Sequence, residues 1–282
     1  MPEEQDVLQY LPPEKWCELK SAFKKDWQRG RTAYAVLQTQ QLWLEKGDTY
    51  GFKVYCPFGK VENGIVALNE KNECYEVIIF SPSDNTEKLE EALIKTKLID
   101  WTKSVVIPFA PKNATDCVER VVKHVNAEIS LVIPSETFVL DRETAPYDVT
   151  LPEGITFGHL TLDHVNIVND TWPHKYPKSE WYFELIIKAG HGYGLFFNDA
   201  LICWVLISES GTLLHMYTVD EHRRKGYAEL LLKLVSNILL KQKRDVLAFC
   251  VRTNKNAMKL YEKAGFDRLD GVAWSFTSSN QK

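Results

Sequence analysis

The feature that most constrains the fold lies at 212–266, where the sequence reads as strand, basic turn with a glycine, helix, strand and helix. The apolar run at 213–219 is followed by the turn Arg223-Arg224-Lys225-Gly226-Tyr227-Ala228, and a helix is expected from about Tyr227 to Lys241. The first turn of a helix leaves backbone N–H groups unpaired and carries partial positive charge. With three cationic side chains beside it, this turn predicts a site for a polyanion, most simply the pyrophosphate of a nucleotide-like cofactor.

Two common phosphate-binding motifs are absent from the sequence. It contains neither a G-x-x-x-x-G-K-[ST] P-loop nor a G-x-G-x-x-G after an N-terminal strand. What remains is R-x-x-G-x-A at 223–228, an amphipathic helix, Asn254-Lys255-Asn256-Ala257 and the helix end Leu260-Tyr261-Glu262-Lys263-Ala264-Gly265-Phe266. This combination resembles the GNAT superfamily of acyl-CoA N-acyltransferases. The resemblance implies that the turn and the helix bind the pyrophosphate of coenzyme A.

Shorter matches, spread along the whole chain, resemble the glycine N-acyltransferase-like family. They are Tyr55-Cys56-Pro57, Leu98-Ile99-Asp100-Trp101, Val168-Asn169-Asp170-Thr171-Trp172, Cys203-Trp204 and Glu221-His222-Arg223-Arg224-Lys225-Gly226. The fold class implied is α/β (α+β): a GNAT fold with a central mixed, splayed sheet, preceded by a smaller N-terminal α/β domain.

Alternating strand and helix signals support that organisation. In the first part, strands are expected at 33–37, 51–56, 76–80, 105–109 and 129–133, with helices at 86–98 and 113–125. In the second part, the expected elements are a strand at 155–160, helices at 163–172 and 179–190, and a hairpin of 192–197 with 201–208. The expected domain limits are 1–135 for the N-terminal domain, 136–154 for a linker containing two prolines, and 155–282 for the GNAT domain.

Composition and charge exclude several classes of function. The net charge is −4, whereas a protein that mainly binds nucleic acid usually carries a basic surface. No apolar run approaches the roughly 18 residues of a membrane helix. The six cysteines are scattered without a C-x-x-C, and the acidic start resembles neither a secretory signal nor a transit peptide. Reduced thiols and a cytoplasmic location are therefore expected, and no metal is expected because no Cys/His group has ligand spacing.

The family resemblance implies a specific site for the cosubstrate, acetyl-CoA or another acyl-CoA. GNAT proteins have an opening between their fourth and fifth strands, here 213–219 and 246–251. Backbone N–H groups there would bind the pantetheine arm and polarise the thioester carbonyl, and Met216 and Thr218 are the candidates. The pyrophosphate is expected on the turn, where Ala228 replaces a glycine often found in the family; the residues concerned are Arg223, Arg224, Lys225, Gly226, Tyr227 and Ala228.

Two further positions match functional residues of the family. Tyr261 stands where the family has the general acid that protonates the leaving thiolate, and its reference pKa of about 10 is close enough to that of a thiol for the proton to be shared. The alternative is a helix tyrosine at the edge of the core. Asn254 matches the asparagine that positions the coenzyme A arm, and it can also be the N-cap of the last helix.

The general base has three candidates. Glu221 matches the acidic residue of the family's turn, although it can equally be a solvated carboxylate that offsets the neighbouring cations. His215 on the fourth strand is the rival, because its reference pKa of about 6.5 suits deprotonation of an amine, but a lone strand histidine is more often a hydrogen-bonded core group. Water is the third candidate.

Three functions fit these residues. The leading one is an acyl-CoA-dependent N-acyltransferase that acts on the amine of a small amino acid such as glycine. The second is a protein N-acetyltransferase, which uses the same cosubstrate but needs an open peptide groove. The third is a non-catalytic acyl-CoA-binding scaffold, since fold alone does not determine function. The acyl chain, the acceptor and the oligomeric state are not determined by the sequence.

Overall fold

The chain folds into two units that are both discontinuous in sequence. The computed structural model describes residues 5–48, 50–71 and 74–279; the acidic start, 1–4, lies outside the described residues. The first unit comprises the described residues of Met1–Leu37, Thr49–Glu136 and Asp270–Lys282, and the second comprises Gln38–Asp48 and Thr137–Leu269. The limits expected from the sequence are continuous, so residues 38–48, the expected linker 136–154 and the described part of 270–282 are grouped differently.

Six strands and four helices of the first half of the chain lie wholly or partly in the first unit, and the second helix and the last strand among them are shared with the second unit. They are β1 (Leu8–Tyr10), α1 (Trp16–Lys24), α2 (Trp27–Lys46), β2 (Gly51–Pro57), β3 (Ile65–Lys71), β4 (Cys74–Phe80), α3 (Glu87–Lys95), β5 (Val106–Pro111), α4 (Lys112–Val121) and β6 (Ala127–Leu140).

The second unit continues the element order. It contains β7 (Ile155–His159), α5 (Val165–Asp170), α6 (Glu180–Lys188), β8 (Gly192–Phe197), β9 (Ala200–Ile207), β10 (Thr212–Thr218), α7 (Tyr227–Lys241), β11 (Val246–Val251), α8 (Lys255–Lys263) and β12 (Asp267–Ser279). The end of β12 belongs to the first unit, and the end of β6 belongs to the second.

Most of the elements expected from the sequence are present, with one clear error. The helix at Tyr227–Lys241 and the strand at Val246–Val251 have the expected bounds. The strand expected at 33–37 is wrong, because these residues lie within α2. Ala33, Val36 and Leu37 are fully buried, and their 3–4 spacing is that of one helix face. A short apolar run does not by itself distinguish a strand from a buried helix.

In each unit the first five strands are neighbours in the sheet in the order in which they follow one another along the chain. In the first unit the order is β1-β2-β3-β4-β5-β12, and in the second, read from the other end, it is β7-β8-β9-β10-β11-β6. In both units the fourth and fifth strands are parallel and the first four are antiparallel. Each unit is therefore a mixed sheet.

The core of the second unit lies between α7 and the strands that position the site. Leu231, Val235 and Leu239 recur along one face of α7 and are buried against residues of β9, β10 and β11. The chain that follows β6 is fixed to the opposite side of α7, where the Asn237 side chain bonds both the N–H and the C=O of Tyr147, at 2.8 and 2.9 Å. The helix that leaves the basic turn is thus supported on two sides.

Candidate acyl-CoA site

The basic turn leads from β10 into the N-terminus of α7 through two left-handed residues. Arg224 has φ +61° and Gly226, the residue before the helix, has φ +83°. No side chain caps this helix end, so the backbone N–H groups of its first turn are available to a ligand. Arg224, Lys225 and Gly226 are exposed, and neither cation forms an ion pair within the described part of the chain. The turn therefore offers both N–H donors and unneutralised positive charge to an anion.

Arg223 is held by the turn itself. Its Nε donates to the carbonyl of Thr218 at 3.0 Å, its guanidinium pairs with Asp220 at 2.7 Å, and it lies 5.1 Å from the centre of the Tyr217 ring. These contacts tie the end of β10 to the start of the turn. The sequence grouped Arg223 with the pyrophosphate ligands; in the structure its charge is already balanced by Asp220.

The one acidic side chain in the first turn of α7 is also balanced. Glu229 accepts hydrogen bonds from Lys233 and Lys263, and these bonds hold the pKa of its carboxyl below the usual value. Its negative charge is thereby offset, so the helix end keeps its preference for an anion.

β10 and β11 separate after a short ladder. The paired residues are Thr212 with Leu247 and Leu213 with Ala248, whereas β10 stays paired with β9 as far as Thr218. The N–H of Val219 donates to Ile202 on the β9 side at 3.0 Å. Because backbone groups alternate in direction along a strand, the N–H of Thr218 faces away from β9, towards the opening. Met216 lies in the irregular part of β10, just before it.

That irregularity is a bulge at His215. Between Leu214 and Tyr217 the chain advances three residues, while β9 advances two, from Leu206 to Trp204. His215 takes the extra position and has φ +50°, which is uncommon for a residue with a side chain. The bulge bends β10 at the point where it leaves β11.

The side chain of His215 joins the bulge to the end of α5. Its Nε2 lies 2.9 Å from the carbonyl of Val168 and 3.2 Å from Oγ1 of Thr171. A carbonyl only accepts, so Nε2 carries the proton and donates. Burial lowers the pKa of His215 to about 4, and the ring is therefore neutral at pH 7. The structure gives this candidate base a hydrogen-bonding role.

Tyr261 lies on α8 within the core of the second unit. It is 7% exposed, and its ring stacks on Phe138 of β6, with centroids 5.1 Å apart and planes at 29°. Burial raises the pKa of the phenol well above its usual value, so the hydroxyl stays protonated. That is the form that a general acid needs.

The two remaining candidates have different surroundings. Asn254 is the N-cap of α8, with its side chain accepting from the N–H of Ala257 at 3.1 Å; the capping role expected from the sequence is confirmed. Glu221 is exposed, in the single turn of 3₁₀ helix at Asp220–His222, and it has no ion pair among the described residues.

Several contacts around the site are not apparent in the sequence. The hydrogen bonds from His215 to Val168 and Thr171 join segments 44 or more residues apart. Trp204 is fully buried and stacks on Tyr217, with centroids 4.8 Å apart. The matches Val168–Trp172 and Cys203-Trp204 had singled out these segments, but only as resemblances.

The described residues also bear on metal sites, membrane-spanning helices and disulfide bonds. They contain no group of three or more His, Cys, Asp or Glu side chains able to hold a metal ion. None of the helices in those residues is both long and apolar enough to cross a membrane. All six cysteines are free thiols.

Comparison with known proteins supports the fold. Residues 192–275, which include the turn and both strands beside the opening, match the family described as FR47-like protein. A solved structure described as a tandem GNAT protein from the clavulanic acid biosynthesis pathway has a TM-score of 0.55 at 12% identity, with 98% of each chain covered. The protein has the GNAT fold.

Two further comparisons cover different shares of the chain. The X-ray structure of a Drosophila protein has a TM-score of 0.87 at 20% identity, covering 98% of this chain and 100% of that one. Human glycine N-acyltransferase-like protein 2 is 26% identical over 155 residues, which are 50% of this chain and 52% of that protein. The chain thus matches about half the length of this curated relative.

Proposed function

We propose that this GNAT protein transfers an acetyl or other acyl group from acyl-CoA to the amine of a small amino acid such as glycine. The observation that carries the proposal is the conjunction of two features of β10. The strand leaves β11 after two residue pairs, and it ends in a turn with unpaired N–H groups and unneutralised cations. A long, thin ligand with an anionic end fits this arrangement.

The residues present fit acyl-CoA in chemical terms. The N–H groups of 226–228, with Arg224 and Lys225, would bind the pyrophosphate, because charge-assisted bonds from backbone and cationic donors suit phosphate oxygens. Arg223 would hold the turn in shape through Thr218 and Asp220. Asn254 would position the arm while it caps α8. Acyl-CoA supplies an activated acyl group as a thioester.

Transfer to an amine needs a donor at the carbonyl and a proton for the leaving sulfur. The N–H of Thr218, facing the opening, is the proposed donor at the carbonyl oxygen, and Met216 is the second candidate. Tyr261 is the proposed acid, since its buried phenol is protonated. Glu221 is the proposed base, because it is exposed and lacks an ion partner among the described residues, whereas Nε2 of His215 is already donating to Val168.

The acceptor class rests on similarity. The short motifs along the chain and the 26% match to human glycine N-acyltransferase-like protein 2 favour a small amino acid. The free cysteines are consistent with a reducing compartment such as the cytoplasm.

The test is thiol release from acetyl-CoA and longer acyl-CoAs in the presence of a panel of amino acids, and separately of a peptide pool. We expect release that depends on glycine or another amino acid and falls about 100-fold or more in Tyr261→Phe, with unchanged Tm because the ring is retained. Release that depends only on peptides would move the protein to the protein N-acetyltransferases. Tight binding of acyl-CoA without release for any acceptor would favour a non-catalytic scaffold.

A further inference from the structure

The two units have the same order of elements. From β1 to β6, the first unit runs strand, two helices, three strands, helix, strand, helix and strand. From β7 to β12, the second unit runs through the same ten elements in the same order. The two units are therefore similar in the order of their helices and strands.

The pairing of the strands repeats as well. The fourth and fifth strands are parallel in both units, and in the first unit the register between β4 and β5 is the single pair Glu76 with Val106. The sixth strand of each sheet comes from the other half of the sequence. In the first unit β12 pairs with β5, and in the second unit β6 lies next to β11. The chain is therefore two copies of one fold, each completed by the last strand of the other copy's sequence.

The turn after the fourth strand differs between the copies. In the first unit it is Ser81-Pro82-Ser83-Asp84-Asn85-Thr86, with no glycine and no Lys or Arg, and none of these residues has positive φ. The start of α3 is already bonded, since the N–H of Glu87 donates to Oδ1 of Asn85 at 2.9 Å. Its acidic first turn, Glu87 and Glu90, disfavours an anion.

The cations near α3 are already paired. Lys88, on its first turn, bonds Glu91 at 2.8 Å, and Arg120 bonds Glu90 at 2.6 Å. Arg29 pairs with Asp84 in the turn itself at 2.8 Å. A pyrophosphate at this helix end would meet carboxylates and engaged cations, in contrast to Arg224 and Lys225 of the other copy.

The ends of the fourth and fifth strands are joined by aromatic rings in the first unit. Phe80 at the end of β4 and Phe109 on β5 stack with centroids 6.0 Å apart, and Phe109 contacts Trp274 of β12 at 5.8 Å. Phe80 and Phe109 are 2% and 5% exposed. The place that corresponds to the opening beside β10 is thus filled by the protein's own side chains.

We infer that the chain binds one molecule of acyl-CoA, in the second unit, and that the first unit is a second copy of the acyltransferase fold without a cosubstrate site. The inference rests on the proposed function and adds to it the number and position of the sites.

Calorimetric titration of the full-length protein with acetyl-CoA, without acceptor, tests this. We expect one molecule bound per chain. Arg224→Glu should raise Kd about tenfold or more, because a charge-assisted contact is replaced by repulsion. The matched charge reversal in the first unit, Lys88→Glu, should leave both the stoichiometry and Kd unchanged, and Tm measurements would show that both variants are folded.

The outcomes separate this inference from the proposed function. Two molecules bound per chain, or one molecule whose affinity depends on Lys88 and not on Arg224, would overturn the inference and leave an acyl-CoA-dependent function standing. No binding of acetyl-CoA or longer acyl-CoAs would overturn both.

Discussion

His215 shows how the role of a single residue depends on its hydrogen bonds. The sequence makes it a candidate base, because a histidine titrates near neutral pH. In the structure it occupies the bulge of β10, and its Nε2 donates to the carbonyl of Val168. We therefore expect it to position the strand rather than to accept a proton.

Substitution of His215 by Gln and by Asn separates these two roles. The amide nitrogen of Gln reaches about as far as Nε2, whereas that of Asn reaches only the position of Nδ1. If His215 positions β10, Gln should retain most of kcat and Asn should lose about tenfold, with the pH dependence of kcat unchanged in Gln. Equal loss in both variants, together with a changed pH profile, would instead identify a base.

His191 is a second buried histidine, and it makes stability depend on pH. Its Nδ1 accepts from Nε1 of Trp43 at 2.9 Å, and burial, with help from the nearby charge of Arg244, lowers its pKa to about 3. Below about pH 6.5 the unfolded chain binds a proton that the folded chain does not bind until about pH 3. Stability is thus complete above the unfolded pKa and falls as the pH decreases through this range.

The expected result is a fall of several degrees in Tm between neutral pH and pH 4. His215 adds to it with the same sign, because its pKa is lowered to about 4. In His191→Asn, whose side-chain oxygen can still accept from Trp43, the Tm should depend less steeply on pH. A slope identical to that of the wild type would show that other groups, such as the carboxylates, cause the whole effect.

Among the elements, β6 has a role in the site that its sequence does not suggest. Only 129–133 was expected to be a strand, and 136–154 was expected to be a linker. β6 extends to Leu140, and its end carries Phe138, which stacks on Tyr261. The element that supports the proposed acid therefore comes from the segment between the two expected domains.

Phe138→Leu should lower kcat about tenfold while Kd for acetyl-CoA stays within about twofold, because the ring that orients Tyr261 is lost and the turn at α7 is untouched. Val139→Ala is the matched control. Val139 is also buried. Because successive side chains of a strand point to opposite faces of the sheet, the side chain of Val139 faces away from Tyr261. An equal fall of kcat in both variants would indicate general destabilisation. Steady-state kinetics and Tm together decide this.

At the scale of the whole molecule, the second unit depends on segments outside 155–282. β6, whose residues 137–140 belong to the second unit, lies next to β11. The end of α2 supplies three polar contacts to buried groups: Gln40 donates to the carbonyl of Glu209, Trp43 to His191, and Arg244 donates to Thr39 at 2.7 Å. Buried polar groups that lose their partners destabilise a fold.

A fragment of residues 155–282 should therefore fail to fold cooperatively or to bind acetyl-CoA, although it contains the whole basic turn. A fragment that starts at residue 137 regains the strand beside β11 but still lacks α2, and it should show partial helical signal without a sharp transition. Circular dichroism, thermal melting and calorimetry would measure this. Cooperative unfolding and full affinity in the shorter fragment would show that the unit needs neither segment.

The sequence by itself determined the parts of the protein that depend on neighbours along the chain. These are the basic turn, the bounds of α7 and β11 and the cap at Asn254, since glycine conformation, capping and amphipathic spacing act over a few residues. The GNAT fold was implied by the resemblance of these segments to that superfamily. Only the tertiary structure decided what depends on distant partners. These features are the helical state of 33–37, the hydrogen-bond partner of His215, the contact of Phe138 with Tyr261, and the placing of β12 beside β5 and of β6 beside β11. The physical reason is that burial and strand pairing join residues 44 to more than 100 positions apart, and no local pattern specifies which segment fills such a place.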